Sequence, residues 1–414
     1  MINCFYDCYV ILNKVYADKS YLKQAINSTQ IEEKNRSLTV KTCYGVLDKD
    51  IELSYYISYL APKSPKLVIR TILKIAMYFI KYLKKHDYAV TKNAVELTKK
   101  LGKGGASGFV NAFLRKFISA DIPLPTNNIK NLSIKYSYPE FLVELLINDY
   151  GTHRAEKIMA SENKKTCLSF YNENGEEYLK SRSIPFDKTP YDNVFLLDNF
   201  SRNSDYDKGI YTYQSLGSVA ICDVVESGED LIDVCSAPGG KSINLSRKFN
   251  TVTSLDIHEH RVNLIEEYKS RMKVDNITTC VHDSKILKDE FIDKFDAVLC
   301  DVPCSGTGVI NDNPDIKLNR SIDSINELLL EQYSILSTCS KYVKKGGFLY
   351  YSTCSILKSE NIDIIKRFLT ENVQFELQKI NSKLPCETDG FVVQYLPDVS
   401  FGNGFFVAKL KRVL

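Results

Sequence analysis

The spacing of apolar residues in the first part of the chain predicts helices. Between residues 68 and 80, apolar side chains recur every three or four positions, which places them on one face of a helix. A glycine-rich stretch at residues 103–108 interrupts the pattern, and residues 109–117 resume it. Pro123 and Pro125 end the block. We therefore expect an all-α domain over residues 1–125.

The pattern changes after that domain. Residues 138–146 are predicted to form a helix that starts at a Tyr-Pro-Glu sequence, and residues 166–171 favour short strands. These signals predict a linker and a small mixed subdomain over residues 126–220.

From about residue 230 onward, apolar strands alternate with helices. The predicted strands cover residues 231–234, 252–255, 277–281, 295–300 and 348–352, and the predicted helices include 259–272 and 322–343. This βαβ rhythm is typical of a mostly parallel sheet covered by helices. The last domain, residues 221–414, is therefore expected to be α/β.

Polar residues follow these strands at the edge where such sheets bind ligands. Ligands bind beyond the carboxyl ends of parallel strands, and these ends carry Asp233, Asp256, Asp283, Asp301 and Cys354. One carboxylate in such a place carries little weight, whereas a set at successive strand ends defines a candidate site.

The turn after the first of these strands contains two glycines, so a ligand could approach its backbone closely. It matches neither the GxGxxG nor the GxxxxGK pattern. The turn consists of Cys235, Ser236, Ala237, Pro238, Gly239, Gly240 and Lys241. An ordinary tight turn is the alternative explanation.

Two later carboxylates could complete a nucleoside site. Asp256, about 20 residues after the turn, could accept both hydroxyls of a ribose, or it could cap the helix that follows. Asp283 has the same position after the third strand and could meet an adenine amino group.

Composition adds charge and excludes several classes of protein. Residues 1–120 hold 20 Lys and Arg against 9 Asp and Glu, a net charge of +11 in a chain whose net charge is +3. Such a region suits nucleic acid, although lysines on solvated helix faces would give the same charge. The twelve cysteines form no CxxC pair, so no metal site is expected. No apolar run is long enough for a membrane span and no signal-peptide pattern is present, so we expect a cytoplasmic protein that binds no membrane.

Two cysteines differ from the others because they lie in loops of small polar residues just after strands. Cys304 stands in a Pro-Cys-Ser-Gly-Thr-Gly sequence and Cys354 in a Ser-Thr-Cys-Ser sequence. A thiolate there could reach a substrate, whereas Cys300, in mid-strand, is expected to be an inert core residue.

Cytosine methylation would use such residues. Addition of a thiolate to carbon 6 of cytosine makes carbon 5 nucleophilic enough to accept a methyl group. Asp301 could stabilise the charge that builds up at the ring nitrogen and the exocyclic amine. Cys304 is a candidate for removing the carbon-5 proton, which allows the attacking thiolate to leave.

Four strings carry a family resemblance: DVCSAPGGKS, DIHEHR, DVPCSGTGVI followed three residues later by PDIK, and YSTCSILKSEN. Over about residues 130–414 the chain resembles the RsmB/NOP family of RNA 5-methylcytosine methyltransferases. The resemblance implies a Rossmann-like class I methyltransferase domain that uses S-adenosylmethionine. It implies that Cys354 attacks and Cys304 assists release, with Asp301 and Lys241 beside them. It also implies cofactor contacts from the turn Cys235 to Lys241 and from Asp256, Arg261, Asp283 and Asp301.

The N-terminal domain carries a second resemblance. Residues 108–115, GFVNAFLR, are similar to the NusB-like all-helical RNA-binding domain, and the residues after Cys167 resemble a small RNA-recognition subdomain. Together these resemblances imply a monomer that methylates a cytosine in 16S ribosomal RNA of the small subunit. Phe170, Ser215 and Asn403 depart from the family pattern, since arginine, aspartate and aspartate are expected at these positions.

Two other functions stay open on the sequence. A related enzyme that acts on another ribosomal site or on transfer RNA would be expected to lack the basic NusB-like domain. A non-catalytic RNA-binding assembly factor would not need Cys304, Cys354, Asp301 and Lys241 together.

Overall fold

The computed structural model describes residues 2–162, 165–198, 200–400 and 402–414. The chain divides into two compact units. The first contains the chain up to Ala160 together with Ile310–Arg320, and the second contains Ser161–Val309 and Ser321–Leu414. Within the described residues, no helix combines the length and the apolarity needed to cross a membrane.

The helices, in chain order, are α1 Ile2–Asp18, α2 Leu22–Asn27, α3 Glu33–Asp48, α4 Asp50–Leu60, α5 Leu67–Lys81, α6 Asp87–Lys100, α7 Ser107–Ser119, α8 Asn128–Tyr136, α9 Glu140–Tyr150, α10 Thr152–Ala160, α11 Gly175–Ser181, α12 Ser204–Asp207, α13 Leu216–Val224, α14 Gly240–Leu245, α15 Glu259–Met272, α16 Ile316–Asn319, α17 Ile322–Cys339 and α18 Ile362–Glu371.

The strands are β1 Lys165–Phe170, β2 Asp187–Lys188, β3 Val194–Asp198, β4 Tyr211–Tyr213, β5 Gly228–Asp233, β6 Phe249–Asp256, β7 Ile277–Val281, β8 Phe295–Asp301, β9 Val343–Thr353, β10 Phe375–Leu377, β11 Glu387–Thr388, β12 Val392–Tyr395 and β13 Phe405–Arg412. Short 3₁₀ turns lie between some of these elements.

The first unit is all-helical, and α5 lies at its centre. Apolar residues on this helix, such as Ile72, Leu73 and Phe79, are fully buried. Burial extends around most of the helix, so that even Lys74 is buried, with its ammonium 2.6 Å from the Asp50 carboxylate. A helix that is covered on most sides is expected at the centre of a bundle.

The segment Ile310–Arg320 belongs to the helical unit although it lies far from the other helices in sequence. Lys317 on α16 is only 2% exposed, and its ammonium lies 2.8 Å from the Asp48 carboxylate and 3.1 Å from the Asp48 carbonyl oxygen. It also lies 4.5 Å from the centre of the Tyr138 ring. Asp315 accepts a hydrogen bond of 3.1 Å from the Leu22 amide. The segment is therefore anchored by buried charges.

The described residues of the second unit form two sheets. The smaller one is antiparallel, with strand order β2-β3-β1-β4, and encloses an aromatic cluster around Phe170, Tyr178 and Tyr211. The larger sheet has nine strands among the residues that the structure describes. Its parallel half runs in the order β7-β6-β5-β8-β9, and its antiparallel half adds β13, β12 and β11, with β10 alongside β13.

The structure confirms the predicted fold class: an all-α N-terminal part and a Rossmann-like α/β methyltransferase part with a smaller sheet before it. Helix α15 was predicted with its observed bounds, and β7 likewise. Helix α17 ends at Cys339, four residues before the predicted end, because a 3₁₀ turn follows. The predicted division at residues 125 and 220 stays a prediction, since compactness separates two units and groups α8, α9 and α10 with the helical one.

The fifth parallel strand is longer than predicted. Strand β9 begins at Val343 and passes through Gly346 and Gly347, where the pairing with β8 shifts its register. A Cβ atom on Gly347 would lie 2.8 Å from the carbonyl oxygen of Asp296, so only glycine allows this close approach. The two glycines therefore interrupt the apolar pattern without ending the strand.

The buried pair between Lys317 and Asp48 makes a prediction about stability. Replacing Asp48 by asparagine leaves the buried Lys317 ammonium without its counter-charge, and we expect a loss of ~2–3 kcal/mol in the free energy of unfolding. The value is below that for a fully buried pair, because Asp48 is 35% exposed. Chemical denaturation of the full-length protein measures it.

Glu96→Gln is the matched control, because Glu96 forms an exposed pair with Lys92 at 4.0 Å. We expect that control to change stability by less than ~0.5 kcal/mol. If both substitutions lower the free energy of unfolding equally, the buried Lys317 ammonium does not need the Asp48 carboxylate.

Candidate active site

The two loop cysteines lie side by side. Cys304 follows β8 and Cys354 follows β9, and these strands are neighbours in the parallel half of the sheet. The two sulfur atoms are 2.9 Å apart. The hydrogen bond with Cys354 and the burial of the thiol raise the pKa of Cys304 well above its usual value. Neighbouring atoms of one substrate ring placed against these loops could therefore meet the two thiols.

A glycine in the first loop allows this approach. The Gly308 amide donates a hydrogen bond of 2.9 Å to the Cys354 carbonyl oxygen, and the Gly308 carbonyl accepts one of 2.6 Å from the Gly404 amide. A Cβ atom on Gly308 would lie 2.1 Å from the Gly404 carbonyl oxygen. Position 308 thus needs glycine to bring the Cys304 loop against the Cys354 loop.

Lys241 and Asp301 form an ion pair at the ends of β5 and β8. The Lys241 ammonium lies 2.6 Å from one Asp301 carboxylate oxygen, and the Ser352 hydroxyl donates a hydrogen bond of 2.7 Å to the other. Burial disfavours the charged form of Lys241, but the nearby Asp301 carboxylate outweighs burial and raises the pKa of Lys241. Lys241 therefore carries a fixed positive charge, and its field also acts on Cys354.

The turn after β5 is tied to the next strand. The amide and the hydroxyl of Ser236 both donate to the Leu255 carbonyl oxygen, over 2.8 and 2.9 Å. Gly239 has a φ of +104°, a conformation that side chains other than glycine rarely adopt. A Cβ atom built on Gly240 would lie 4.0 Å from the nearest atom, on Tyr268, so the backbone at Gly240 borders open space.

Asp256 and Arg261 are brought together beside this turn. Asp256 is buried, with one carboxylate oxygen 3.3 Å from the Arg261 guanidinium. Arg261 also donates to the Ala237 carbonyl oxygen over 3.2 Å. The N-cap of α15 is His258 rather than Asp256, although Asp256 does accept a hydrogen bond of 3.3 Å from the His258 amide. Asp256 therefore does not cap α15 itself, although it contacts the residue that does.

These residues line a cleft whose chemistry fits a nucleoside cofactor. Its walls combine the carboxylates of Asp256 and Asp283 with the apolar side chains of Ile257, Pro303 and Ile335. Carboxylates can accept hydrogen bonds from ribose hydroxyls and an amine, and apolar walls suit a flat ring. The described residues contain no cluster of three or more His, Cys, Asp or Glu side chains that could hold a metal ion.

The predicted site residues therefore fall into two neighbouring groups. Cys304, Cys354, Asp301 and Lys241 surround the point where the two cysteine loops meet. Cys235, Asp256, Arg261 and Asp283 line the cleft, and Arg261 also donates to the carbonyl oxygen of Ala237 in the turn, whereas the rest of the turn up to Lys241 does not line the cleft. Cys235 contributes to the cleft wall, and burial raises the pKa of its thiol.

Sequence reasoning missed the residues that hold the cysteine loops. Glu360 and Asn361 are fully buried, and both contact the loop that contains Cys354. They stand at the end of the string YSTCSILKSEN, where an acid and an amide follow an apolar turn. The sequence did offer one signal for them. A glutamate that follows an apolar turn can become buried, and a buried carboxylate needs hydrogen-bond partners.

The three departures from the family pattern have local structural roles. Phe170 is 1% exposed in the aromatic core of the small sheet. Ser215 caps α13 by accepting a hydrogen bond of 3.3 Å from the Ser218 amide. Asn403 is buried just before Gly404, the glycine that contacts Gly308.

The parallel sheet, the glycine turn after its first strand and the cleft beside Asp256 define an S-adenosylmethionine-dependent methyltransferase, and the paired cysteines distinguish it within that class. Comparison with known proteins agrees. The profile of the family described as 16S rRNA methyltransferase RsmB/F matches residues 221–411, and that of the NusB family matches residues 3–119.

Individual relatives match over nearly the whole chain. The probable ribosomal RNA small subunit methyltransferase B of Bacillus subtilis (strain 168) is 31% identical, over 97% of this chain and 95% of that protein. The ribosomal RNA small subunit methyltransferase B of Pasteurella multocida (strain Pm70) is 29% identical, over 98% and 95%. The chain belongs to the RsmB/F family of 16S rRNA methyltransferases, which confirms the resemblance inferred from its motifs.

Solved structures share the fold. The crystal structure of PH0851 superposes with a TM-score of 0.84 at 20% identity, and covers 99% of this chain and 98% of that one. A methyltransferase homolog from Pyrococcus horikoshii superposes with a TM-score of 0.59 at 23% identity, over 70% of this chain and all of that one.

Asp233, at the end of β5, makes a prediction about pH. Burial raises the pKa of this carboxyl from 3.8 to about 7, although the Ser242 hydroxyl donates a hydrogen bond to one of its oxygens. Between these pH values the folded protein holds a proton that the unfolded chain has lost. Stability is therefore highest below pH 4 as far as this group is concerned, and falls as the pH rises towards 7.

Asp233→Asn should remove this dependence, because the amide stays neutral. We expect the wild type to lose ~2–3 kcal/mol of unfolding free energy relative to the variant between pH 5 and pH 8, at ~1.4 kcal/mol for each pKa unit. Urea denaturation of both proteins at the two pH values gives the difference, in which all other titrating groups cancel. A constant difference would mean that Asp233 is ionised throughout.

Proposed function

We propose that the protein methylates carbon 5 of a cytosine in 16S ribosomal RNA, through a transient bond between the Cys354 sulfur and carbon 6 of the base. The observation that carries this proposal is the 2.9 Å approach of two loop cysteines beside the Lys241–Asp301 ion pair. A methyltransferase acting on oxygen or nitrogen would need no second thiol at that distance.

Cys354 is assigned the attack because of its charge environment. The Lys241 ammonium and Cys354 interact electrostatically. A thiolate, rather than a thiol, adds to carbon 6. Cys304 has a raised pKa and therefore stays protonated more readily.

Asp301 is assigned to the polar edge of the base. Negative charge develops at the ring nitrogen and exocyclic amine as the thiolate adds, and a positioned carboxyl can hydrogen-bond or protonate that edge. Lys241 and Ser352 fix both carboxylate oxygens of Asp301, so the group is oriented before the base arrives. Such preorganisation lowers the cost of aligning it during the reaction.

S-adenosylmethionine supplies the methyl group. Asp256 and Asp283 are assigned to its ribose and adenine, and Arg261 holds Asp256 against the turn from Cys235 to Lys241. After transfer, the Cys354 sulfur is bonded to carbon 6 and no longer carries negative charge, so we assign the Cys304 thiol to lose its proton to water and its thiolate to remove the carbon-5 proton. The bond between carbon 6 and the Cys354 sulfur then breaks and its electron pair returns to that sulfur.

The ribosomal substrate is supported by the relatives and by charge. The two bacterial relatives are described as ribosomal RNA small subunit methyltransferases. The region over residues 1–120, with its net charge of +11, matches the NusB family and is suited to bind RNA phosphates. We therefore assign residues 1–125 to RNA binding, residues 126–220 to the linker and small subdomain, and expect the protein to act as a monomer.

The two cysteines are separated by single substitutions. Cys354→Ala should abolish methylation and form no covalent complex with 16S ribosomal RNA, because carbon 5 is never activated. Cys304→Ala should accumulate a covalent complex through Cys354, because attack and transfer still occur while release is blocked. Denaturing gels of protein mixed with RNA and cofactor show the complex as a slow band.

The double variant is the control and should give no band, since attack precedes release. If Cys354→Ala traps RNA while Cys304→Ala does not, the two roles are exchanged. If neither substitution affects methylation, the reaction does not pass through a cysteine.

The cofactor site is tested by Asp256→Ala. Losing the ribose hydrogen bonds to a charged group should weaken S-adenosylmethionine binding by ~2–4 kcal/mol, as measured by titration calorimetry. Asp275→Ala, in an exposed loop of the same unit, should bind the cofactor as the wild type does. Unchanged affinity in a folded Asp256→Ala protein would remove Asp256 from the site.

A further inference from the structure

One fully buried carboxylate links the loops of both cysteines. Glu360 ends a short 3₁₀ turn before α18 and has no exposed surface. One of its carboxylate oxygens accepts hydrogen bonds from the Ser305 amide at 2.8 Å and from the Gln332 side-chain amide at 2.9 Å. The other accepts from the hydroxyls of Ser305 and Ser355.

The hydrogen-bond donors of Glu360 lie next to the two cysteines in the sequence. Ser305 directly follows Cys304, and Ser355 directly follows Cys354. A single side chain therefore holds the residues that follow both thiols. Gln332 extends the network, because its amide also donates to the Pro303 carbonyl oxygen over 2.9 Å, on the other side of Cys304.

The neighbouring residue secures the second loop. Asn361 accepts a hydrogen bond of 2.6 Å from the Thr353 hydroxyl and donates one of 3.0 Å to the Ser355 carbonyl oxygen. Cys354 thus lies between two residues that Asn361 fixes. The pair Glu360–Asn361 holds the geometry in which the two sulfurs face each other.

The same network places unlike charges on the two sides of the cysteine pair. Cys304 is faced by the Cys354 thiol and the Glu360 carboxylate, and by the Tyr351 hydroxyl group, whose pKa is raised chiefly by burial and also by Glu360 and Cys304. Cys354 is faced by Cys304 and by the Lys241 ammonium, which is paired with Asp301. After the hydrogen bond with Cys354 and burial, the negative charge of Glu360 further raises the pKa of Cys304.

We propose that Glu360 is a positioning residue that decides which cysteine attacks the base: its carboxylate aligns both loops and faces Cys304, while the Lys241 ammonium faces Cys354. This inference rests on the assignment of Cys354 as nucleophile and Cys304 as the releasing group. Glu360 acts only through the two cysteine loops and does not itself contact the base.

The charge effect can be measured without RNA or cofactor. In the full-length protein, Cys354→Ser removes the coupling between the two thiols, and Glu360→Gln is then added to it. We expect iodoacetamide to alkylate Cys304 ~3–10-fold faster at pH 8 once Glu360 is neutral, with the pH profile shifted to lower pH. Peptide mass mapping follows Cys304 alone among the cysteines. Glu327→Gln, on the exposed side of α17, is the matched control and should leave the rate unchanged.

Circular dichroism and thermal melting establish that each variant is folded. If Glu360→Gln does not fold, Glu360→Asp keeps the charge and should retain the slow alkylation of Cys304, while Ser355→Ala removes one hydrogen bond and should leave the Cys304 profile in place. An unchanged Cys304 profile in folded Glu360→Gln, or a profile that Ser355→Ala shifts as much, would overturn the proposal.

The consequence for attack is tested with RNA that contains 5-fluorocytidine, which cannot lose its carbon-5 substituent and so keeps the attacking sulfur bound. The wild type should be attached through Cys354 only, and Glu360→Gln through both cysteines. Attachment through Cys354 alone in the variant, at the wild-type rate, would contradict the proposal. Attachment of the wild type through Cys304 would instead contradict the proposed function, so the two failures are distinct.

Discussion

The pairing of β8 with β9 as neighbouring parallel strands is the constraint on which the site depends. Asp301 is in register with Ser352, so the residues that follow the two strands emerge side by side from one edge of the sheet. Cys304 and Cys354, fifty residues apart in sequence, meet for this reason. The Asp301 carboxylate, held by Ser352 from the same register, lies next to them. The glycines at positions 308 and 404 then allow the loops to close.

A second constraint is the cost of burying charge near that edge. The structure meets it with partners: Lys241 with Asp301, and Glu360 with four hydrogen-bond donors. Asp233 is fully buried, and burial raises its pKa although the Ser242 hydroxyl donates a hydrogen bond to it. Buried charges of this kind add little to stability in comparison with apolar packing. Their hydrogen bonds do, however, fix the orientation of each charged group and the sign of the charge at each point of the site. For the proposed reaction, which begins with a single thiolate, the signs matter as much as the positions.

The sequence predicted those parts of the molecule that local pattern encodes. The five parallel strands, the turn from Cys235 and the two cysteine loops follow from apolar runs that end in polar residues, and the structure places the cysteines together as expected. The antiparallel strands β10 to β13 were not predicted, because their partners are set by pairing across the sheet and not by spacing along the chain. Glu360 was overlooked for a similar reason, since its donors lie in three separate segments. The place of Ile310–Arg320 in the helical unit depends on the buried Lys317, whose partner Asp48 is 269 residues away.

The central claim is that this protein installs 5-methylcytosine in 16S ribosomal RNA. Bisulfite sequencing of that RNA tests it directly, because 5-methylcytosine resists the conversion that other cytosines undergo. In cells that lack the protein, the account predicts that one protected cytosine in 16S ribosomal RNA becomes convertible, and that protection returns when the gene is restored. An identical pattern of protected cytosines with and without the protein would contradict the account.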